Sequence, residues 1–241
     1  MSDQASIVYL TKITAARRQL DAAIRMGFLA EDAIAIHTIV AAAYRILRDI
    51  KAKRGGNEYS DPFTRGLFYV ARDLASGALT QLPLDILAHP SLVEMIEGLA
   101  KEVRGGSLTD PLQLKSTHSP QAETQYWKRL NAPANFLKHA DADSNALLAE
   151  TNIDNTFLMK LAVAAYVDLM GKPSPEMYLF FLVSLFEDGD LAGILKTRAL
   201  DALECLTSEK RNIFCLSILR DRSTRAWSDE SFLSYWAGRE Q

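Results

Sequence analysis

Asn135 and His139 stand one helical turn apart within Tyr126–Asp143, YWKRLNAPANFLKHADAD, with Lys138 between them and Asp141 and Asp143 just beyond. Side chains four apart on a helix share a face. An amide beside an imidazole can position a phosphate, share a proton or form a hydrogen-bonded pair in a core. Asn135 and His139 are therefore the candidate catalytic residues, with Lys138 and Asp141 as candidate binding residues beside them. His37 is a further candidate. It lies at the edge of the apolar stripe of an upstream helix. It can be a partly buried histidine bonded to a nearby acceptor, or it can join the Asn135/His139 face around a phosphate or RNA backbone. Arg45 and Arg48, with Lys51, Lys53 and Arg54, gather positive charge at the end of that same helix. The helix dipole alone favours cations there, and a nucleic-acid patch is the alternative use.

Other chemistries lack their residues. Asp141, Asp143 and Asn145 open like a calcium loop, but Ala146 stands where the turn glycine belongs and Asn152 where the bidentate glutamate belongs. His37, His89, His118 and His139 are scattered singly, with no Glu-x-x-His or His-Glu-x-x-His pair, so no metal site and no cofactor is expected. No serine sits in a glycine-flanked turn after a strand. Gly105-Gly106 lacks the following Lys-Ser/Thr of a phosphate loop.

The elements that must position these residues read as helices throughout. Apolar side chains recur at helical spacing in Ile13, Ala16, Leu20, Ala23 and Ile24, then in Ile36, Ile39, Val40, Ala43, Leu47 and Ile50. Alternating strand patterns are scarce. The fold class is all-α, a multi-helix bundle of roughly eight or nine helices, forming a single domain over residues 1–241 loosely divided by an exposed loop at 104–119. The first two helices, about Gln4 to Met26 and Glu31 to Lys53, are joined by the short link Gly27 to Ala30, which favours an antiparallel hairpin. Further helices run from Pro62 towards Gly77, Pro90 to Val103, Ile153 to Met170, Pro175 to Phe186, Leu191 to Leu206 and Ser208 to Leu219. Pro83 to His89 reads as a turn. Asp61-Pro62, Ser119-Pro120 and Ser174-Pro175 supply capping side chains ahead of first-turn prolines. The last twenty-two residues mix Arg220, Arg222 and Arg225 with Trp227, Tyr235 and Trp236. Such a tail can stack bases. It can also dock on its own domain or a second subunit through a short amphipathic helix carrying Phe232 and Trp236.

The chain has 241 residues, 48% of them hydrophobic and 24% charged, enough to bury a substantial core. A net charge of -3 argues against coating nucleic acid non-specifically. Cys205 and Cys215 are too few for a disulfide framework, which points to a cytoplasmic protein with buried or inert thiols. The N-terminal residues lack the pattern of a secretory signal. The most apolar run, Met177 to Phe186, is about half the ~20 residues of a membrane-spanning helix, so no membrane partner is expected.

In this helical setting the string NFLKHAD resembles the signature helix of the HEPN superfamily, small helical bundles whose catalytic members are metal-independent endoribonucleases acting as dimers. In those members an arginine, often followed by a polar residue, precedes the histidine, and arginine and histidine converge on the RNA backbone across the dimer cleft. Asn135 and His139 match the polar and histidine positions. Ala134 stands at the arginine's place, and the nearest arginine, Arg129, is too far upstream with Pro133 intervening. The resemblance covers the motif helix and the long first hairpin, under half of the chain. AIHTIVAAAYRILRD followed by NAPANFLKHAD also resembles a group of uncharacterised bacterial proteins. What this implies is a non-catalytic HEPN-like module, a homodimer, binding a protein or RNA partner in stress or defence; the alternative is an active endoribonuclease. The absent arginine weights His139 towards a structural role, in which its loss would strand a buried partner.

Overall fold

The computed structural model describes residues 9–54, 62–82, 84–87, 90–110, 128, 131–139, 145–188 and 198–237. Among them the regular structure is helical, with no strand. The helices are α1 (Lys12–Phe28), α2 (Ala33–Lys53), α3 (Pro62–Ser76), α4 (Leu84–Leu87), α5 (Pro90–Arg104), α6 (131–138), α7 (Asn155–Met170), α8 (Pro175–Asp188), α9 (Arg198–Glu204), α10 (Ser208–Thr224) and α11 (Asp229–Trp236). The all-α class follows. Among the described residues the helices form the expected multi-helix bundle, and α4 is a single helical turn where a turn was expected at Pro83–His89.

Local chemistry sets the boundaries. Thr11 Oγ1 accepts the Thr14 N–H at 3.1 Å and so starts α1 at Lys12, later than Gln4; Gln4 itself lies outside the described residues. Asp32 Oδ1 accepts the Ala35 N–H at 2.9 Å at the start of α2, and Asp154 Oδ1 accepts that of Phe157 at 2.8 Å at the start of α7. Ser174 Oγ accepts the Met177 N–H at 3.2 Å, as its place before Pro175 predicts. Asp61, Ser119 and Pro120 lie outside the described residues.

The link after α1 closes as a paired C-terminal cap. Ala30 N–H donates to Gly27 O and Glu31 N–H to Met26 O, both at 3.0 Å. This geometry places Ala30 at φ 53°, the left-handed region that normally selects glycine. Ala226 ends α10 in the same way at φ 51°.

The chain forms two compact units, residues 1–48 with 149–241, and residues 49–148. In the first, α1 lies against α7, α8 and α10, and α8 also meets α9 and α11. Its interior holds Leu20, Ala23 and Ile24 of α1, Met177 and Leu179 of α8, Leu203 of α9 and Phe232 of α11. Burial of each large apolar side chain contributes roughly 1.5–3 kcal/mol. In the second unit α3 and α4 lie against α5, and the core is Leu67, Phe68, Ala71, Leu82, Ile96, Leu99, Ala100 and Leu108. That unit also contains α6. The loop expected at 104–119 begins with a turn at Gly105–Gly106, and residues 111–119 lie outside the described residues.

Candidate functional site

Helix α6 buries Pro133 and Ala134 and exposes Asn135, Phe136, Lys138 and His139. The His139 N–H donates to Asn135 O at 3.0 Å, which closes the last turn and sets His139 just past the helix end. Amide, ammonium and imidazole thus stand together at an exposed helix terminus. The exposure of His139 removes the expectation that it is sealed in a core. An exposed donor and acceptor set of this kind can contact a phosphate or another anionic group. Asp141, the fourth candidate at this end, lies outside the described residues.

His37 belongs to the first unit and Asn135, Lys138 and His139 to the second. On α2 His37 is only 3% exposed, and its Nδ1 lies 3.1 Å from Asn155 Oδ1 on the first turn of α7. Asn155 Nδ2 in turn donates to Ala33 O at 2.8 Å. A carbonyl only accepts, so the amide nitrogen must face Ala33 and the amide oxygen must face the ring. His37 Nδ1 is therefore protonated and donates to Asn155. Of the two roles open to His37, this is the structural one. Arg45 is exposed on the same helix and Arg48 half-buried, with Lys51 and Lys53 in the last turn.

Sequence reasoning missed a buried charged network in the first unit. Asp21 of α1 and Glu176 of α8 are 8% and 4% exposed. Ser174 Oγ donates to Asp21 Oδ1 at 2.5 Å while Arg17 Nε donates to Asp21 Oδ2 at 3.3 Å. Arg25 Nη1 donates to Glu176 Oε1 at 2.5 Å. Glu176 Oε2 is buried with no hydrogen-bond partner among the described residues. Arg17 Nη2 also donates to Asp229 Oδ2, and Arg222 Nη2 donates to Asp229 Oδ1, so the network runs from α8 through α1 to α10 and α11. Burial pushes the Asp21 carboxyl up to about 6; the neighbouring Glu176 charge adds to this, and the bonds from Ser174 and Arg17 oppose it. The Tyr166 hydroxyl is raised by burial, with Arg17 pulling the other way. The sequence did carry a signal, because Asp21 interrupts the apolar stripe of α1 between Leu20 and Ala23. Its partner, 153 residues away, could not be read from that pattern.

The aromatic tail docks on its own chain. Trp236 meets Phe214 edge-on at 6.0 Å between ring centroids and Tyr235 at 5.1 Å, and Trp227 lies 5.2 Å from Tyr235. Tyr178 Oη donates to Trp236 O at 3.4 Å. Arg222 and Arg225 are held by Asp229 and Asp221, so these cations are already neutralised, which weakens the base-stacking use. Cys215 is buried, its thiol pushed up to about 12 by that burial, whereas Cys205 is exposed, so one of the two thiols expected to be buried or inert is not buried.

Among the described residues no three His, Cys, Asp or Glu side chains gather into a group that could hold a metal ion, and no helix is long and apolar enough to cross a membrane. No family model, curated protein or solved structure matches this chain.

Proposed function

We propose that the chain is a HEPN-like, non-catalytic helical interaction module that contacts RNA through the exposed end of α6, acting in stress or defence. The observation that carries this reading is the joint exposure of Asn135, Lys138 and His139 at one helix terminus. Amide N–H, ammonium and imidazole N–H groups are suitable donors to a phosphodiester. The net charge of -3 favours a localised contact of this kind over a broad cationic surface. Ala134 at the place of the family's arginine leaves the matching motif without the guanidinium that would stabilise a dianionic phosphorane, which is why binding is favoured over cleavage.

The second reading is a metal-independent endoribonuclease working as a homodimer. The exposure of His139 favours it, since a general acid or base must reach its substrate. In that reading His139 moves the proton and Asn135 positions the scissile phosphate. Incubation of the protein with labelled single-stranded RNA in EDTA separates the two. Retarded, intact RNA supports the module, cleaved RNA supports the enzyme, and neither result removes RNA from the account.

A further inference from the structure

Asp21 and Glu176, residues 8% and 4% exposed, bring two carboxyl groups to the junction between α1 and the first turn of α8. Both Asp21 oxygens are engaged, Oδ1 by Ser174 and Oδ2 by Arg17. Glu176 has one oxygen on Arg25 and one buried oxygen without a partner among the described residues. Ionising both groups would place like charges together away from water, which is costly unless other groups compensate. Arg25 compensates Glu176, whereas Asp21 has a share of Arg17. Arg17 is shared with Asp229 of α11, and Asp229 is shared with Arg222 of α10.

We infer that the α1/α8 junction is a proton-operated latch: a proton on Asp21 holds the start of α8 against α1, and its loss loosens the docking of α11. The groups facing Asp21 are Arg17 on its own helix, Glu176 and Ser174 at the start of α8, Tyr166 of α7, and Asp229 of α11 beyond Arg17. With Asp21 neutral, the 2.5 Å contact can run from the carboxyl O–H to Ser174 Oγ, Glu176 keeps Arg25, and Arg17 is left to Asp229. With Asp21 ionised, it repels Glu176 and competes with Asp229 for Arg17. Asp229 is the first residue of α11 and bridges Arg17 to Arg222, so weakening that bridge releases α11 first. The upward displacement of the Asp21 carboxyl to about 6 places the transition in the mildly acidic range.

The test is amide hydrogen exchange of the full chain at pH 5.0 and pH 7.5, corrected for intrinsic rates. Wild type should show protection over 229–237 that is about tenfold or more greater at the lower pH. Asp21→Asn, which cannot ionise, should remove most of that difference. The same pH response in Asp21→Asn as in wild type, or no response in wild type, overturns the latch. Should that variant fail to fold, carbon-13 detection of the Asp21 carboxyl in wild type decides. A midpoint near 6 is expected, and one at the ordinary aspartate value overturns the latch.

Discussion

His37 Nδ1 donates to Asn155 Oδ1 across 3.1 Å, and Asn155 closes the bridge by donating to Ala33 O, so one amide ties the first turn of α2 to the start of α7. An aspartate at 155 could still accept from the ring but could not donate to Ala33, and it would bring a negative charge to a part-buried site. Asn155→Ala should therefore destabilise the protein by about 1–3 kcal/mol, and Asn155→Asp should do so at neutral pH as well. Chemical denaturation is the check, and a wild-type midpoint in both variants would show that the bridge contributes nothing.

Ala30 sits at φ 53° in a cap that any glycine could adopt without strain. The left-handed conformation costs an L-residue roughly 1–2 kcal/mol, part of which glycine returns through greater freedom in the unfolded chain. Ala30→Gly should stabilise by about 0.5–1 kcal/mol, a gain of a few degrees in Tm. A lowered Tm would mean that the Ala30 side chain makes a contact worth more than the strain.

Stability should respond to pH through Asp21. Its folded pKa of about 6 lies above the ordinary aspartate value of 3.8, so the folded state holds the proton more tightly. The Asp21 contribution is therefore full below about pH 4 and is lost as pH rises through 6, opposite to the usual salt-bridged carboxylate. Asp21→Asn should stabilise the protein at pH 7.5 by roughly 1–3 kcal/mol and have little effect at pH 4. A variant less stable than wild type at pH 7.5 would mean that the ionised carboxylate's bonds to Ser174 and Arg17 outweigh its burial.

The two thiols should separate cleanly. Exposed Cys205 should react with a maleimide in the native protein, and buried Cys215 only after denaturation. Mass spectrometry of the labelled native chain should show a single adduct.

Much of the fold was legible because it depends on local rules. Helical periodicity gave the class and the ends of α3, α5 and α8 to within two residues, and Ser174 before Pro175 announced its cap. The start of α1 was misplaced because a Thr11 cap looks the same as any surface threonine until the N–H of Thr14 is seen to use it. At the candidate site the i, i+4 spacing of Asn135 and His139 was readable, but their exposure was not, since it depends on what covers the opposite face of α6. His37 showed the same limit from the other side. Its place at the stripe edge left both uses open, and only the distant Asn155 selects one. The Asp21 network was least legible of all, because Asp21, Glu176 and Asp229 are ordinary charged residues until three separate helices bring Asp21 and Asp229 to Arg17 and Glu176 to Arg25.

RNA binding by wild type and by Asn135→Ala/His139→Ala, followed by fluorescence anisotropy in EDTA with melting temperature recorded alongside, is the most direct test of the proposed function. Both side chains are exposed, so the double variant should keep the wild-type Tm within about 2 °C, because surface changes rarely exceed ~0.5 kcal/mol. The account predicts that wild type binds single-stranded RNA without cutting it and that the variant binds at least tenfold more weakly. Equal binding by the two proteins at equal stability would contradict it.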